Sequence, residues 1–215
     1  MNKKIVLIGG GGHCKSVLDS IFSMNEYSDI AIIDRRENIG KQILGVPIVG
    51  SDDDIHNLFD RGYNFGFITL GSIGNPILRI KLFDLIQEIG FEIPNIIDSS
   101  AILSKYIKLD KGIFIGKSSV VNAGSRINNC AIINTNSIIE HDCSVGNFVH
   151  IAPGVVLGGE VVIGDNSHIG ANSTIKQRVE IGCNSIVGIG STVLKNVDDN
   201  SIAYGNPCRF IKNNQ

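Results

Sequence analysis

Two histidines are the residues of this sequence best suited to chemistry. His141 stands between Glu140 and Asp142, and His150 follows nine positions later. A neighbouring carboxylate orients an imidazole and raises its pKa. Acyl transfer needs such a base, because an attacking amine or hydroxyl must lose a proton as it reaches the acyl carbon. A histidine in this setting is therefore a candidate general base, although a lone histidine is often only structural.

A glycine cluster, Gly9 to Gly12, is the second feature that could bind a ligand. It follows a short apolar run and precedes a helical pattern that begins at His13. Glycine lets backbone N–H groups approach a pyrophosphate, and a helix N-terminus favours negative charge. Asp34, followed by Arg35, ends the next apolar run, where a ribose-binding acid would stand. The full G-x-G-x-x-G spacing is missing, so a plain strand-to-helix turn remains an alternative.

The first part of the chain alternates apolar runs with helical patterns. We expect strands over 4–8, 30–33 and 65–70, and helices over 13–23 and 77–89. Unbroken apolar strands indicate a parallel sheet covered on both faces. Gly71, Ser72 and Asn75 follow the third run and should border the same crevice as the glycine cluster. Residues 1–93 are thus predicted to form a small Rossmann-like, nucleotide-sugar-binding α/β domain that ends near Pro94.

Residues 101–196 repeat every six positions. The third residue of every block is aliphatic, from Leu103 to Val193, and the first is small or aliphatic. One block supplies a short strand and a turn, so three blocks close an 18-residue coil in which each unit is buried only against its neighbours. The pattern predicts an all-β parallel β-helix over residues 94–215, with positions one and three pointing inward.

The outward second positions divide among three faces. Two of the faces are apolar: one carries Ile102, Val120, Ile138 and Val156, and another carries Phe114, Ile132 and Ile186 beside two histidines. Apolar faces on a prism predict that prisms pack together, and a closed homotrimer is the natural arrangement.

The two histidines on the face that carries Phe114 are His150 and His168. They are 18 residues apart and should stack about 4.8 Å apart. Stacked histidines could hold zinc, as in the γ-carbonic anhydrases, which also use a β-helix. The His-x4-His pair of such sites is missing, and we expect no metal.

Composition excludes other classes of function. The 215 residues are 43% hydrophobic and 19% charged, with a formal net charge of −2, so there is no basic field to attract nucleic acid. The five cysteines form no CxxC pair, which argues against disulfides and predicts a cytoplasmic protein. The N-terminal apolar run is too short to span a membrane. A small Rossmann-like domain alone also suggests an NAD-dependent oxidoreductase, but the β-helix leaves no catalytic domain for one.

The repeat resembles the hexapeptide-repeat acyltransferases, whose β-helix is left-handed. The match covers residues 99 to about 210 and includes the ending Gly205-Asn206-Pro207-Cys208-Arg209. With the small α/β domain, and with the segments 134–143 (NTNSIIEHDC) and 146–150 (GNFVH), the chain is similar to the bacillosamine-pathway nucleotide-amino-sugar N-acetyltransferases and the sialic acid O-acetyltransferases. Some relatives have glutamate where Asp142 stands, and many read HPSA at 98–101.

The resemblance implies an acetyl-CoA-dependent N-acetyltransferase that acts on a UDP-type deoxyamino sugar. His141 would be the general base and Asp142 its orienting partner. His150 and Gly159 would contact acetyl-CoA, and Lys176, Arg178 and Lys195 could meet its phosphates. We expect the nucleotide sugar to be bound by residues of the glycine cluster, the strand ends and the coil: Gly9, Gly12, His13, Asp34, Arg35, Gly71, Ser72, Asn75 and Asn134. Transfer to a sugar hydroxyl, as on sialic acid, and a non-catalytic trimeric scaffold remain alternatives.

Overall fold

The computed structural model describes residues 3–214 of the chain. The chain forms two compact units. The first contains the residues up to Gly71 together with Ile77–Ile96, and the second contains Ser72–Pro76 and the chain from Ile97 onward. The short segment Ser72–Pro76 therefore belongs to the second unit, although it lies between two elements of the first.

The first unit is a small sheet with helices. Its strands lie in the order β3-β4-β2-β1-β5. The consecutive residues 5–8 and 31–33 are all buried, as expected for a sheet covered on both faces. Its elements are β1 (Lys4–Ile8), α1 (Gly12–Met24), β2 (Asp29–Ile33), β3 (Gln42–Ile43), β4 (Val46–Gly50), α2 (Ile55–Asp60), β5 (Phe65–Ile68) and α3 (Ile77–Ile89), with 3-10 turns at Arg36–Asn38 and Asp52–Asp54.

One strand of this sheet departs from the predicted parallel arrangement. β1 pairs in parallel with β2 and β5, and β2 with β4, but β3 pairs antiparallel with β4. The hairpin turns at Leu44 (φ 48°) and Gly45 (φ 85°), and a two-residue loop with two positive φ angles suits a hairpin. Leucine is an unusual residue at positive φ, so the sequence carried no turn signal there.

The second unit is the predicted coil of two-residue strands. After β6 (Ile96–Ile97), each strand pairs in parallel with the strand 18 residues later, as Val120 does with Ile138 and Ile132 with His150. The first face holds β7 (Ile102–Leu103), β10 (Val120–Val121), β13 (Ile138–Ile139), β16 (Val156–Leu157), β19 (Thr174–Ile175) and β22 (Thr192–Val193). The second holds β8 (Lys108–Leu109), β11 (Arg126–Ile127), β14 (Ser144–Val145), β17 (Val162–Ile163) and β20 (Glu180–Ile181). The third holds β9 (Phe114–Ile115), β12 (Ile132–Ile133), β15 (His150–Ile151), β18 (His168–Ile169), β21 (Ile186–Val187) and the final hairpin β23 (Ser201–Gly205) and β24 (Cys208–Asn213).

The core of the coil explains which residue types occupy the inward-pointing positions of the repeat. Third-position side chains such as Ile133, Ile151 and Val187 are fully buried. First-position serines are buried too, and five of the seven donate their hydroxyls to turn carbonyls 15 residues later, as Ser119 Oγ does to Asn134 O at 2.7 Å. Each buried hydroxyl thus has a partner, which removes most of the cost of placing serine in a core.

The turns share one backbone conformation. The sixth residue of every block from Gly112 to Gly190 has a positive φ, between 53° and 80°. Asparagine and aspartate tolerate this left-handed conformation better than most residues, and glycine adopts it without strain. Ten of these fourteen sixth positions accordingly hold glycine, asparagine, aspartate or serine, and Asp142 occupies one of them.

The third face differs from the first in exposure. Ile102 on the first face is 66% exposed, whereas Phe114 and Ile132 on the third face are buried. The segment Ser72–Pro76 lies on the third face, where Ser72 O bonds with His150 and Gly74 packs on Ile186. In the single chain, the first face is therefore the more exposed of the two apolar faces. Among residues 3–214, no helix has both the length and the apolar character that crossing a membrane requires.

Candidate active site

The turn between β13 and β14 holds His141 and Asp142 in contact. His141 Nδ1 lies 2.9 Å from Asp142 Oδ2, and the two side chains are 57% and 63% exposed. Both stand at the surface of the coil, as the predicted turn position requires. A carboxylate can only accept, so Nδ1 carries the hydrogen and Nε2 is left with the lone pair. The hydrogen bond to Asp142 raises the pKa of His141, with smaller contributions from Glu140 and Glu160.

Hydrogen bonds from neighbouring coils fix this turn. Ser125 Oγ donates to Glu140 O at 2.8 Å and accepts from Cys143 N at 3.2 Å, so one buried hydroxyl bridges the two ends of the turn. Asp142 N donates to Ala123 O at 3.0 Å, and His141 O accepts from Glu160 N at 2.9 Å. The backbone of the pair is thus held from inside the coil and from the coils on either side.

The neighbouring turns leave space for the two side chains. A Cβ on Gly159 would lie 2.5 Å from His141 Nε2, so the imidazole occupies the space that a side chain at 159 would need. A Cβ on Gly124 would overlap Asp142 Oδ1 in the same way. The sequence pointed to Gly159 but gave no reason to single out Gly124.

Three cations, Lys176, Arg178 and Lys195, were predicted to meet coenzyme A phosphates. Arg178 donates from Nε and Nη2 to Glu160 Oε1, at 3.0 and 2.9 Å. This ion pair lowers the pKa of Glu160 and lies one coil beyond the His141–Asp142 pair. Lys176 is exposed.

His150 has both ring nitrogens engaged. Its Nδ1 lies 3.0 Å from Ser72 O, which can only accept, so Nδ1 carries the hydrogen. Its Nε2 then accepts from Asn134 Nδ2 at 3.3 Å, while Asn134 Oδ1 accepts from Thr135 N at 2.8 Å. The structure thus brings together three predicted site residues, His150, Asn134 and Ser72, with His150 as a neutral, oriented ring.

His168 stacks on His150 as the 18-residue period predicted, with ring centroids 4.9 Å apart. It is 7% exposed, and burial lowers the pKa of His168 to about 4, with a smaller electrostatic influence from the adjacent His150 ring. Within the described part of the chain, His, Cys, Asp and Glu side chains do not come together in groups of three or more that could hold a metal ion.

Cys143 is the thiol nearest to the pair in sequence. It is 1% exposed, its Sγ donates to Gly158 O at 3.2 Å, and burial raises the pKa of its thiol to about 11. A thiolate is the nucleophilic form of cysteine, so a buried and protonated thiol is poorly suited to act as a nucleophile.

A separate cleft of about 520 Å³ lies in the first unit, where the strands of the sheet end. Gly9, Asp34 and Arg35 line it, as the sequence indicated. Asp34 Oδ1 accepts from Arg35 N at 2.8 Å, and Oδ2 accepts from Asn38 Nδ2 at 3.0 Å. The cleft adjoins α1, whose N-cap is Gly11, a residue with no side chain to cover the first N–H groups of the helix.

Other predicted substrate residues lie outside the lining of this cleft. His13 is in the first turn of α1, directly after Gly12, and Gly71 lies beside it, since a Cβ on Gly71 would be 3.9 Å from His13 Cβ. Ser72 and Asn75 belong to the second unit. The lining also includes residues that the sequence analysis missed: Arg36, Asn38, Ser51, Asp52 and Asp53. The sequence does contain one signal for a turn at this place, a capping box formed by Ser51 and Asp54 after β4.

Comparison with known families and structures gives concordant matches. The family model described as the PglD N-terminal domain matches residues 4–86, and the bacterial transferase hexapeptide model matches residues 142–177. A search of the curated proteins finds no match.

Solved structures match over nearly the whole chain. A variant of perosamine N-acetyltransferase from Caulobacter crescentus, in complex with CoA and GDP-perosamine, is 33% identical, with 98% of this chain and 97% of that chain covered and a TM-score of 0.92. The acetyltransferase domain of PglB from Neisseria gonorrhoeae, in complex with acetyl coenzyme A, is 28% identical, with 98% and 100% covered and a TM-score of 0.89. WeeI from Acinetobacter baumannii, 23% identical, covers 98% and 100% with a TM-score of 0.87 and shares the fold.

Proposed function

Because the chain belongs to the left-handed β-helix, hexapeptide-repeat sugar N-acetyltransferases with a PglD-type N-terminal domain, we propose that it acetylates the amino group of a nucleotide-linked deoxyamino sugar. Acetyl-CoA is the acetyl donor. The Caulobacter crescentus relative binds CoA with a nucleotide amino sugar, and the Neisseria gonorrhoeae relative binds acetyl coenzyme A. The observation on this chain that carries the proposal is the His141–Asp142 pair, held at the surface of the coil with the His141 Nε2 lone pair available.

In the proposed reaction the sugar amine attacks the thioester carbon directly. His141 Nε2 takes the proton that the amine loses as the new C–N bond forms, the C–S bond breaks, and the CoA sulfur leaves as a thiolate that is then protonated. Asp142 holds the imidazole with its hydrogen on Nδ1 and stabilises the imidazolium that forms. Two solved variants of the Caulobacter crescentus enzyme carry asparagine or alanine in place of a histidine. Cys143 takes no part, because its thiol is buried and protonated.

We assign His150 and Gly159 to the acetyl-CoA side of the site. His150 contacts the acetyl-CoA as a fixed neutral ring, with Asn134 and Ser72 setting its orientation. Gly159 provides a bare backbone beside His141 Nε2, where the thioester must come. We assign Lys176 and Lys195 to the CoA phosphates. Arg178 is a third candidate for these phosphates, and its guanidinium is also paired with Glu160.

The nucleotide is assigned to the cleft in the first unit. The N–H groups at the start of α1 suit a diphosphate, and Asp34 suits a ribose hydroxyl. Gly12, His13, Gly71 and Asn75 complete the proposed substrate contacts. The bacillosamine-pathway resemblance favours a UDP-linked sugar, and the GDP-perosamine complex of the Caulobacter crescentus relative favours a GDP-linked one as the second candidate.

Two further assignments belong to the proposal. The exposed apolar first face, with Ile102 at its edge, supports a homotrimer, and light scattering at micromolar concentration should give three times the chain mass of 23.1 kDa. A monomer would contradict it. The cysteine usage supports a cytoplasmic site of action.

A substrate panel tests the proposed function. Thiol release from acetyl-CoA is measured with UDP-, GDP- and dTDP-linked amino sugars, with the matching hydroxyl sugars and with free sialic acid. We expect release with an amino sugar of the UDP or GDP series, and acetate attached to nitrogen in the product. Release with a hydroxyl acceptor alone would establish the O-acetyltransferase alternative, and no release with any acceptor would favour a non-catalytic scaffold.

A further inference from the structure

We propose that Gly124 is a positioning residue for the base: its missing side chain is what allows the Asp142 carboxylate to reach His141. The inference rests on the proposed function of the His141–Asp142 pair. Gly124 is 18 residues before Asp142, at the same sixth position of the preceding coil, and its N–H donates to Tyr106 O at 3.1 Å. It touches no reacting atom and acts only through Asp142.

A side chain at residue 124 would displace the Asp142 carboxylate from its present position. A Cβ on Gly124 would overlap Asp142 Oδ1 and lie 3.0 Å from its Cγ. The other oxygen, Oδ2, is the one that accepts from His141 Nδ1. The backbone of Asp142 is fixed at φ 58° and tied to Ala123 O. A side chain at 124 must therefore be accommodated by rotation of the Asp142 carboxylate, which breaks its bond to the imidazole.

A side chain at residue 124 should affect the base His141 more than it affects the stability of the fold. Asp142 is 63% exposed, so its carboxylate can turn into solvent without leaving a buried group unpaired. The charged groups that face His141 are Asp142, Glu140 and Glu160, and Glu160 is already paired with Arg178. Of the residues 3–214, Asp142 alone hydrogen-bonds to the ring. Turning it away removes the largest influence that raises the pKa of His141 and frees the ring to rotate.

Gly124→Ala tests the proposal against a closely matched control. Gly154 also occupies a sixth position with positive φ (+71°, against +80° at Gly124), and a Cβ there would overlap Asn172 Oδ1, 18 residues on. Gly154→Ala thus introduces the same backbone strain and the same kind of clash beside an asparagine in place of the aspartate. Gly124→Asn and Gly154→Asn form a second pair for the case in which alanine prevents folding, since asparagine occupies several other sixth positions.

Two readouts separate positioning from stability. In a plot of kcat/KM against pH, Gly124→Ala should move the acid limb to lower pH. It should also lower the rate at pH 7 about tenfold, because the base is present but less well oriented; complete loss of a general base would cost roughly 10²–10⁴-fold. Gly154→Ala should leave the acid limb in place. Asp142→Asn should reproduce the shift of the limb, and adding Gly124→Ala to Asp142→Asn should shift it no further.

An NMR titration of the His141 ring in the full-length protein needs no substrate, so it tests the inference even if the proposed function fails. We expect a lower His141 pKa in Gly124→Ala and an unchanged one in Gly154→Ala. An unchanged His141 titration in both Gly124 variants, or an equal shift in the Gly154 variants, would overturn the inference. Absence of transferase activity in the unmodified protein would instead refute the proposed function.

Discussion

Replacing Ser125 with alanine should loosen the turn that carries the base without changing any exposed side chain near it. Ser125 is fully buried, and its hydroxyl donates to Glu140 O and accepts from Cys143 N. These two backbone groups bracket His141 and Asp142. Alanine keeps the volume of the core nearly constant but leaves both groups without this partner.

The size of the effect follows from those two contacts. A buried backbone group that loses its hydrogen bond costs about 1–3 kcal/mol, so the two groups together cost about 2–6 kcal/mol. For a chain of this length, that corresponds to a fall in Tm of roughly 4–24 °C. Relaxation of the turn moves the imidazole, and a misplacement of about 1 Å at a catalytic group can cost about 10²-fold in rate. We therefore expect kcat to fall between about tenfold and 10²-fold.

Ser173→Ala is a matched control. Ser173 is fully buried, donates to Gly188 O at 3.0 Å and accepts from Ser191 N at 3.2 Å, so it bonds as Ser125 does around another turn of the coil, except that Gly188 O also accepts from Ser191 Oγ at 2.7 Å. Calorimetry should show some loss of thermal stability in both variants, the smaller in Ser173→Ala, but only Ser125→Ala should lose kcat at 25 °C, where both are folded. Equal kcat values in the two variants would refute the idea that the Ser125 bridge positions the base.

Three further predictions concern single residues. Asp142→Asn should move the acid limb of kcat/KM to lower pH, because the aspartate raises the pKa of His141 and the neutral imidazole is the active base; an unmoved limb in the pH profile would contradict this. Cys143→Ser should retain kcat within a few-fold in the thiol-release assay, since a buried thiol with a pKa of about 11 is not a nucleophile, and complete inactivation of a folded variant would point to a covalent intermediate. His168 has a folded pKa of about 4, below its unfolded value, so the unfolded state binds the extra proton and the protein should lose stability as pH falls from about 6.5 to 4, by about 3 kcal/mol. His168→Phe should flatten that loss in Tm measured against pH, and an unchanged slope would assign the acid sensitivity to other groups.

The periodic part of the fold could be predicted because its signal is local and repeated. An aliphatic third position in every block from Leu103 to Val193 fixes which side chain points inward, and the 18-residue coil then places His150 beside His168. The strand at Lys4–Ile8 and the helix at Ile77–Ile89 were also predicted with the bounds observed. In each case, the apolar pattern and its flanking glycine or proline act within a few residues of the element they specify.

The features that the sequence did not predict depend on contacts between distant residues. Ser72–Pro76 joins the second unit because Ser72 O meets His150 and Gly74 packs on Ile186, more than 70 residues away in the chain. The ion pair of Arg178 was not predicted either, because its partner Glu160 is 18 residues away in the chain and is brought close only by the coil. In the sequence, Gly124 does not differ from the other turn glycines. Its role depends on the Asp142 carboxylate, which occupies the space that a side chain at residue 124 would need.

The most direct test of the account is the rate of CoA thiol release by His141→Ala on the best amino sugar of the panel, measured at saturating acetyl-CoA. His141 is 57% exposed and lies on a turn held by its neighbours, so the variant should keep its fold and its Tm. We predict that kcat falls by roughly 10²–10⁴-fold, the contribution of a positioned general base. A folded His141→Ala enzyme that acetylates the amine at the rate of the unmodified protein would contradict the central claim.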